Sequence, residues 1–324
     1  MYSNKLVQTT ALAIAVLGLL LAPAISPAQN SGSAGAFSRL GFGARGMGMG
    51  NAMTGNANGS VQSYYNPALA AFASDRTVSA TFSFLSFDRS LNFLSYTQAI
   101  KPTGGISLGL INAGVKNIDG RDYDGMHTED YSTFENEFYL AFANRITDNF
   151  ALGLTVKMYY SKLFDEIKNS TVGFDAGALY RFSPRFSVGA VLQDISSKYT
   201  WDTRAIYDID GRTTVDKFPQ LRRVGVSYTP DSLRLILSAD IENSSLGTNT
   251  VRVGAEYTFN AYFAARAGVD RFVMGDNSFA GTKPTFGFTV KNAMGRFVPA
   301  LNYAYIVEPF SSQGMHILTL STTF

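Results

Sequence analysis

Residues 149–160 read NFALGLTVKMYY, and their alternation decides the fold. Phe150, Leu152, Leu154, Val156, Met158 and Tyr160 fall on one face, with Ala151, Gly153, Thr155, Lys157 and Tyr159 on the other. A period of two marks a strand with one apolar side. The pattern recurs at 172–182, where Val172, Phe174, Ala176, Ala178, Tyr180 and Phe182 oppose Gly173, Asp175, Gly177, Leu179 and Arg181. It recurs again at 251–259 and 263–270. Each time one face is apolar, and the other mixes small residues with charges.

Working outward, about fourteen such segments follow one another: 77–86, 91–101, 105–116, 134–146, 149–161, 172–182, 185–197, 221–229, 232–242, 250–259, 262–272, 285–291, 297–307 and 314–324. Connections such as Thr147-Asp148, Ser183-Pro184, Pro230-Asp231 and Asn260-Ala261 carry turn residues and are tight. Between them lie mostly longer loops, at 117–133, 162–171, 198–220, 243–249, 273–284 and 308–313. Short turns at one end and long loops at the other characterise transmembrane barrels, whose tilted strands match an apolar band roughly 25 Å tall. The expectation is an all-β fold, a 14-stranded antiparallel transmembrane β-barrel over residues 77–324. An even strand number puts both termini on the short-turn, periplasmic side. A soluble sandwich would also alternate, but its outward face would carry the charges.

Composition agrees. The 324 residues are 46% hydrophobic, yet mean hydropathy is only +0.02, because apolar positions alternate with polar or small ones. The charged fraction is 16%, below the roughly 25% of ordinary soluble domains. The chain has 25 Phe and 17 Tyr, too many for a disordered protein. It has no cysteine and two histidines, which excludes disulfides, thiolate metal sites and His-rich clusters. A net charge of +2 gives no nucleic-acid footprint.

The two ends read as targeting signals. Lys5, an apolar run over 11–22 and Ser26-Pro27-Ala28 have the layout of a secretory signal peptide occupying 1–28. The run is too short to span a bilayer, which needs roughly 20 residues. No cysteine follows it, so a lipoprotein is excluded. The final strand, HILTLSTTF, ends on Phe324 and resembles the C-terminal assembly signal read by barrel-assembly machinery.

The expected lumen face carries Lys157, Asp175, Arg181, Arg223, Arg234, Asp240, Arg252, Glu256, Arg266 and Asp270, together with Glu135, Glu137, Arg145, Glu242 and Lys291. Both signs occur in similar numbers, which suits ion pairs packed against a plug. Residues 29–76 lack strand alternation and supply the candidate. Within them, Gly41 to Gly46 matches G-x-G-x-x-G in form, but no strand precedes it and no acidic residue follows about 20 positions on. A nucleotide site is therefore rejected. Asn66-Pro67 opens a short helix, with Asn66 as N-cap and Pro67 at the first position.

The stretches RLGFGARGMGMGNAMTG (39–55) and YYNPALAAF (64–72), set before such a barrel, resemble the PorV/PorQ family, a branch of the FadL-like outer-membrane proteins. The resemblance implies a hatch folded into the barrel. Asn66, Pro67 and Ala68 would be its recognisable element, and Gly46, Gly48 and Gly50 its glycine-rich turn. It implies two functions. The first is type IX protein secretion or cargo handling at the cell surface, with the 198–220 loop as contact surface. The alternative is a FadL-like channel for hydrophobic small molecules. The implied partners are outer-membrane lipids, the assembly machinery, and secreted cargo or an apolar solute, with the protein a monomer. No cofactor, metal ligand set or catalytic residue is expected. His127 lies beside Glu129 and Asp130 and His316 near the last strand's start, neither with a serine motif. The Asp-x-Asp-Gly runs at 122–125 and 208–211 are short of calcium-loop ligands.

Overall fold

The computed structural model describes residues 32–324 except 61, 165, 231–233, 275–280 and 312. Residues 1–28, expected to be a signal peptide, lie outside the described residues. Fourteen strands close into one ring. In chain order they begin with β1 (Thr77–Phe84), β2 (Arg89–Ile100), β3 (Gly104–Arg121), β4 (His127–Thr147), β5 (Phe150–Lys162), β6 (Lys168–Ser183) and β7 (Phe186–Ile195). After a hairpin of β8 (Lys198–Asp202) and β9 (Thr213–Lys217), the ring resumes with β10 (Leu221–Tyr228) and β11 (Leu235–Ser244). It is completed by β12 (Asn249–Thr258), β13 (Phe263–Val273), β14 (Lys283–Lys291), β15 (Val298–Ile306) and β16 (Met315–Thr323). Every neighbouring pair is antiparallel; β7 pairs with β10, and β1 with β16 from Thr77↔Thr323 to Phe84↔His316. Reciprocal backbone hydrogen bonds between Arg76 and Phe324 tie the seam at the short-turn end. The even-stranded antiparallel barrel expected from the alternation is the fold.

The outward face is apolar over most of its height, as Leu152, Leu154, Val156 and Met158 on β5 illustrate. Near the short-turn end outward aromatics lie side by side, with Tyr180 to Phe182 at 4.6 Å, Phe182 to Phe186 at 5.5 Å and Tyr257 to Phe259 at 4.8 Å between centroids. Phe324 joins this belt against Phe297 at 5.8 Å. Such girdles occupy the interface levels of membrane barrels.

Two expectations are corrected. Most of 117–133 is strand rather than loop: β3 and β4 continue past their neighbours as a projecting hairpin, pairing Ile118 with Tyr131 and Asp119 with Asp130. Likewise 198–220 holds the β8–β9 hairpin, outside the ring. Neither stretch carries the outward apolar face of a ring strand, and β8 alternates only Tyr199 and Trp201, turned toward the lumen mouth, with Lys198, Thr200 and Asp202. Gly35 lies against the Phe218 ring, at the long-loop end, whereas Phe324 lies at the short-turn end.

From Gly35 the chain runs inside the ring. Helix α1 (Gly43–Gly48) packs on β13 to β16, and the 3-10 helix Pro67–Phe72 packs on β2 to β6 across the lumen. Gly46 and Gly48 were expected in a turn but belong to α1, and only Gly50, at φ 60°, makes the turn after it. Their lack of a side chain serves packing, since Gly46 sits under the Tyr65 ring and Gly48 against Arg266. The wall is shaped to match. A Cβ on Gly105 would overlap the Ala70 carbonyl, and one on Gly254 the Met49 carbonyl, so the luminal backbone lies directly on the sheet at both places.

Gly105→Val and Gly254→Val are expected to cost about 1–3 kcal/mol each through overpacking. Denaturant unfolding in micelles checks this, with Thr214→Val, at an exposed position of the β8–β9 hairpin, as the control for a change that packs on nothing.

Candidate functional site

The inward charges of β10 to β13 form a network of two groups of ion pairs. Cross-strand register sets Arg223 opposite Glu242, Asp240 opposite Arg252 and Glu256 opposite Arg266. Arg223 reaches Glu242 at 2.5 Å; Arg252 reaches Glu242 at 2.9 Å and Asp270 at 2.7 Å. Glu256 lies 3.0 Å from both Arg266 and Arg45, and Arg45 comes from α1. The network is buried throughout.

Its free valences hold the luminal segment. Arg45 donates to the Ser60 and Asn58 carbonyls at 2.8 and 3.0 Å. Asn51 donates to Asp270 at 3.0 Å, and the Thr54 amide to Asp240 at 3.0 Å. Opposite, the Asn66 side chain accepts from the Ala68 amide, capping the 3-10 helix, and donates to the carbonyls of Thr54 and Ala178, each at 3.0 Å. Pro67 stands at the helix's first position and Ala68 is fully buried against the wall.

A second cluster surrounds Lys157, whose Nζ lies 2.9 Å from Asp175, 3.3 Å from Asp194 and 3.7 Å from Glu137. Arg39 of the luminal segment approaches Asp194 at 3.8 Å. Two expected lumen charges are placed differently. Arg234 lies just before β11, exposed, bonded to the Phe259 carbonyl. Arg181 is partly exposed at the short-turn rim, its guanidinium over the Phe72 ring at 5.1 Å. Both sit where a strand leaves the ring, so strand phase no longer fixes their surroundings.

Aromatic side chains fill the long-loop half of the lumen. Trp201, Tyr199, Phe218, Tyr159 and Phe37 succeed one another with centroid separations of 5.0, 4.8, 4.8 and 6.4 Å. Deeper in, Phe42 packs on Tyr64 at 5.0 Å and Phe93 at 4.9 Å. On the short-turn side of these rings lies a cavity of about 490 Å³, bounded by α1, Gln62, Ser63 and the strands flanking the β1–β16 seam.

The histidines lie elsewhere. His316 faces outward, 2.6 Å from the Tyr303 hydroxyl. His127 Nδ1 is 2.7 Å from Asp119 on the projecting hairpin, and Arg121 holds the other Asp119 oxygen at 2.5 Å. Asp130 completes a group whose donor atoms lie within 4.8 Å of one another, all exposed. Sequence reading missed Arg45, Asn51 and Thr54 as partners of the wall charges. It also missed the wall glycines, although both fall at readable positions of the alternation.

No family model and no curated protein matches the chain. Solved structures do. The CymD monoaromatic hydrocarbon channel aligns over 88% of this chain and 97% of its own, at 14% identity and a TM-score of 0.60. The fold is that of FadL-type channels. The Pseudomonas putida toluene transporter TodX aligns over 87% and 96%, with 14% identity and a TM-score of 0.58. A FadL homologue from Pseudomonas aeruginosa gives 86%, 97%, 14% and 0.57. At this identity the likeness concerns architecture.

Two outcomes are expected. Arg45→Ala leaves Glu256 one cation short in a buried site and should cost about 3–5 kcal/mol, read as a lowered unfolding midpoint and new protease cuts within 34–72. The hydrogen bond that His127 donates to the Asp119 carboxylate raises the His127 pKa above its ordinary value. The pair therefore orders the hairpin fully below histidine's ordinary titration range, and that contribution is lost as pH rises through the raised value. NMR titration of the imidazole, with Asp119→Asn bringing its pKa down, checks the sign.

Proposed function

We propose that the chain is a plugged channel of a bacterial outer membrane that admits small apolar molecules, with residues 34–72 as the plug. The observation that carries this reading is the aromatic column Trp201–Tyr199–Phe218–Tyr159–Phe37, which leads from the long-loop mouth to the plug. Apolar rings suit an apolar solute, and their edge-to-face contacts yield to a comparable ring at little cost. The architecture supports the reading, because it is shared with proteins described as hydrocarbon channels. The apolar outward face and its aromatic girdle support a lipid-facing wall, with short turns on the periplasmic side. The type IX secretion reading rests on the resemblance at residues 39–55 and 64–72 alone, and the architectural neighbours named above add nothing to it.

Uptake of toluene by cells producing the protein, against a deletion strain, tests the channel. Phe218→Ala is expected to raise the uptake rate by opening the column, and equal uptake with and without the protein would end this reading. Val156→Arg, on the outward face of β5, tests the lipid contact. It should cost about 2–4 kcal/mol near the bilayer midplane, measured by unfolding from lipid vesicles.

A further inference from the structure

The cations at the two ends of the barrel have different surroundings. At the long-loop end Arg121 is matched by Asp119, Arg204 by Asp202, and Arg89 and Lys283 together by Glu308. At the short-turn end Arg76, Lys101, Lys291 and Arg296 are exposed, and none of them makes an ion pair among the described residues.

Two of these four flank the seam on its outward side. Arg76 and Phe324 exchange backbone hydrogen bonds at 3.1 and 2.9 Å, so their side chains stand on the same face. That face is the outward one, since Phe324 is in phase with the exposed Leu320. On the other side, the pairing of Val298 with Thr323 brings Phe297 next to Phe324, with the ring centroids 5.8 Å apart. The Arg296 guanidinium lies over the Phe297 ring at 5.1 Å. Arg76, Phe324, Phe297 and Arg296 thus form one row across β1, β16 and β15, at the level of the aromatic girdle.

We propose that this row is a binding site for an anionic phospholipid. Its phosphate sits between the two guanidiniums, whose planar forks match phosphate oxygens. Strands β1 and β15 stand two strand spacings apart, about 10 Å, a gap that two arginine side chains close on one shared anion. The acyl chains descend over the two rings and then over Val78, Leu301 and Leu320, all apolar and exposed, with Leu301 directly opposite Leu320. Charge agrees. Arg76, Lys291 and Arg296 outnumber Asp75 and the carboxylate at Phe324, so this stretch of rim is net positive. The level favours a lipid over an acidic protein, because aromatic girdles mark the membrane interface, where headgroups stand. The inference rests on the lipid-facing wall and the periplasmic short turns proposed above, which place the row in a phospholipid leaflet. It does not depend on what the channel admits.

The test offers the full-length protein in micelles an equal mixture of phosphatidylglycerol and phosphatidylethanolamine with the same acyl chains, and native mass spectrometry counts what stays bound. The wild type is expected to retain phosphatidylglycerol with about a tenfold preference, and Arg76→Gln/Arg296→Gln to reduce this to about twofold or less. Arg234→Gln, on the same rim but away from the seam, should leave the preference unchanged, as should toluene uptake in all three proteins. No preference in the wild type would overturn the proposal. An equal fall in Arg234→Gln would do so too, as the result for diffuse attraction by the whole rim. Displacement of the lipid by an equal concentration of inorganic phosphate would also overturn it, in favour of a free-anion site. A wild type that stayed in solution without detergent would instead defeat the lipid-facing wall itself.

Discussion

A length of irregular backbone inside a barrel persists only where the wall supplies hydrogen bonds that water would otherwise provide. That requirement organises this molecule. The Ala44 amide bonds Thr319, and Thr285 serves both the Gly50 amide and the Gly48 carbonyl. Ser187 takes the Gly55 carbonyl and Gln193 that of Tyr64. Each partner is an inward polar side chain placed one strand-phase from an outward apolar one. The alternation that makes the wall acceptable to lipid is thus the same alternation that makes its inside acceptable to backbone. Glycine completes the arrangement, because hydrogen-bonding side chains reach the segment only where the sheet itself lets it come close.

Charge serves position more than stability here. A buried ion pair gains little over a well-packed apolar pair, but losing one partner is expensive. The Arg223–Glu242–Arg252–Asp270 chain and the Arg45–Glu256–Arg266 triad therefore penalise any displacement of the segment that separates Arg45 or Asn51 from its carboxylate. A register slip by one residue would turn these side chains into the outward apolar face. The network holds the luminal segment and the sheet register to the same alignment.

Strand phase was legible because it depends on the period of side chains and on nothing distant. Residues 149–160 suffice to place Lys157 inside, and 251–259 to place Arg252 and Glu256. The closed ring followed from turn spacing, and the Asn66 cap from local chemistry. Legibility stopped where neighbours decide. Arg234 has the right phase but no strand to enforce it. Gly46 and Gly48 looked like turn formers, and the helix they occupy is stabilised by Tyr65 and Arg266, distant in sequence. Inward glycines such as Gly105 were visible as small residues, but nothing local says that a second backbone lies on them.

The lumen's chemistry is divided by sector as well as by depth. Strands β10 to β13 hold the arginine–carboxylate pairs, β4 to β7 hold the Lys157 cluster and, with the β8–β9 hairpin, the aromatic column, and the strands around the β1–β16 seam carry hydroxyls. These sectors resist motion unequally. Separating a buried pair on β10 to β13 costs several kcal/mol, whereas exchanging one neutral hydrogen bond for another with solvent costs about 1 kcal/mol. At the seam the luminal segment is held by contacts of the second kind, such as Ala44 to Thr319. Displacement of the segment is therefore opposed least along the seam and most along the charged wall.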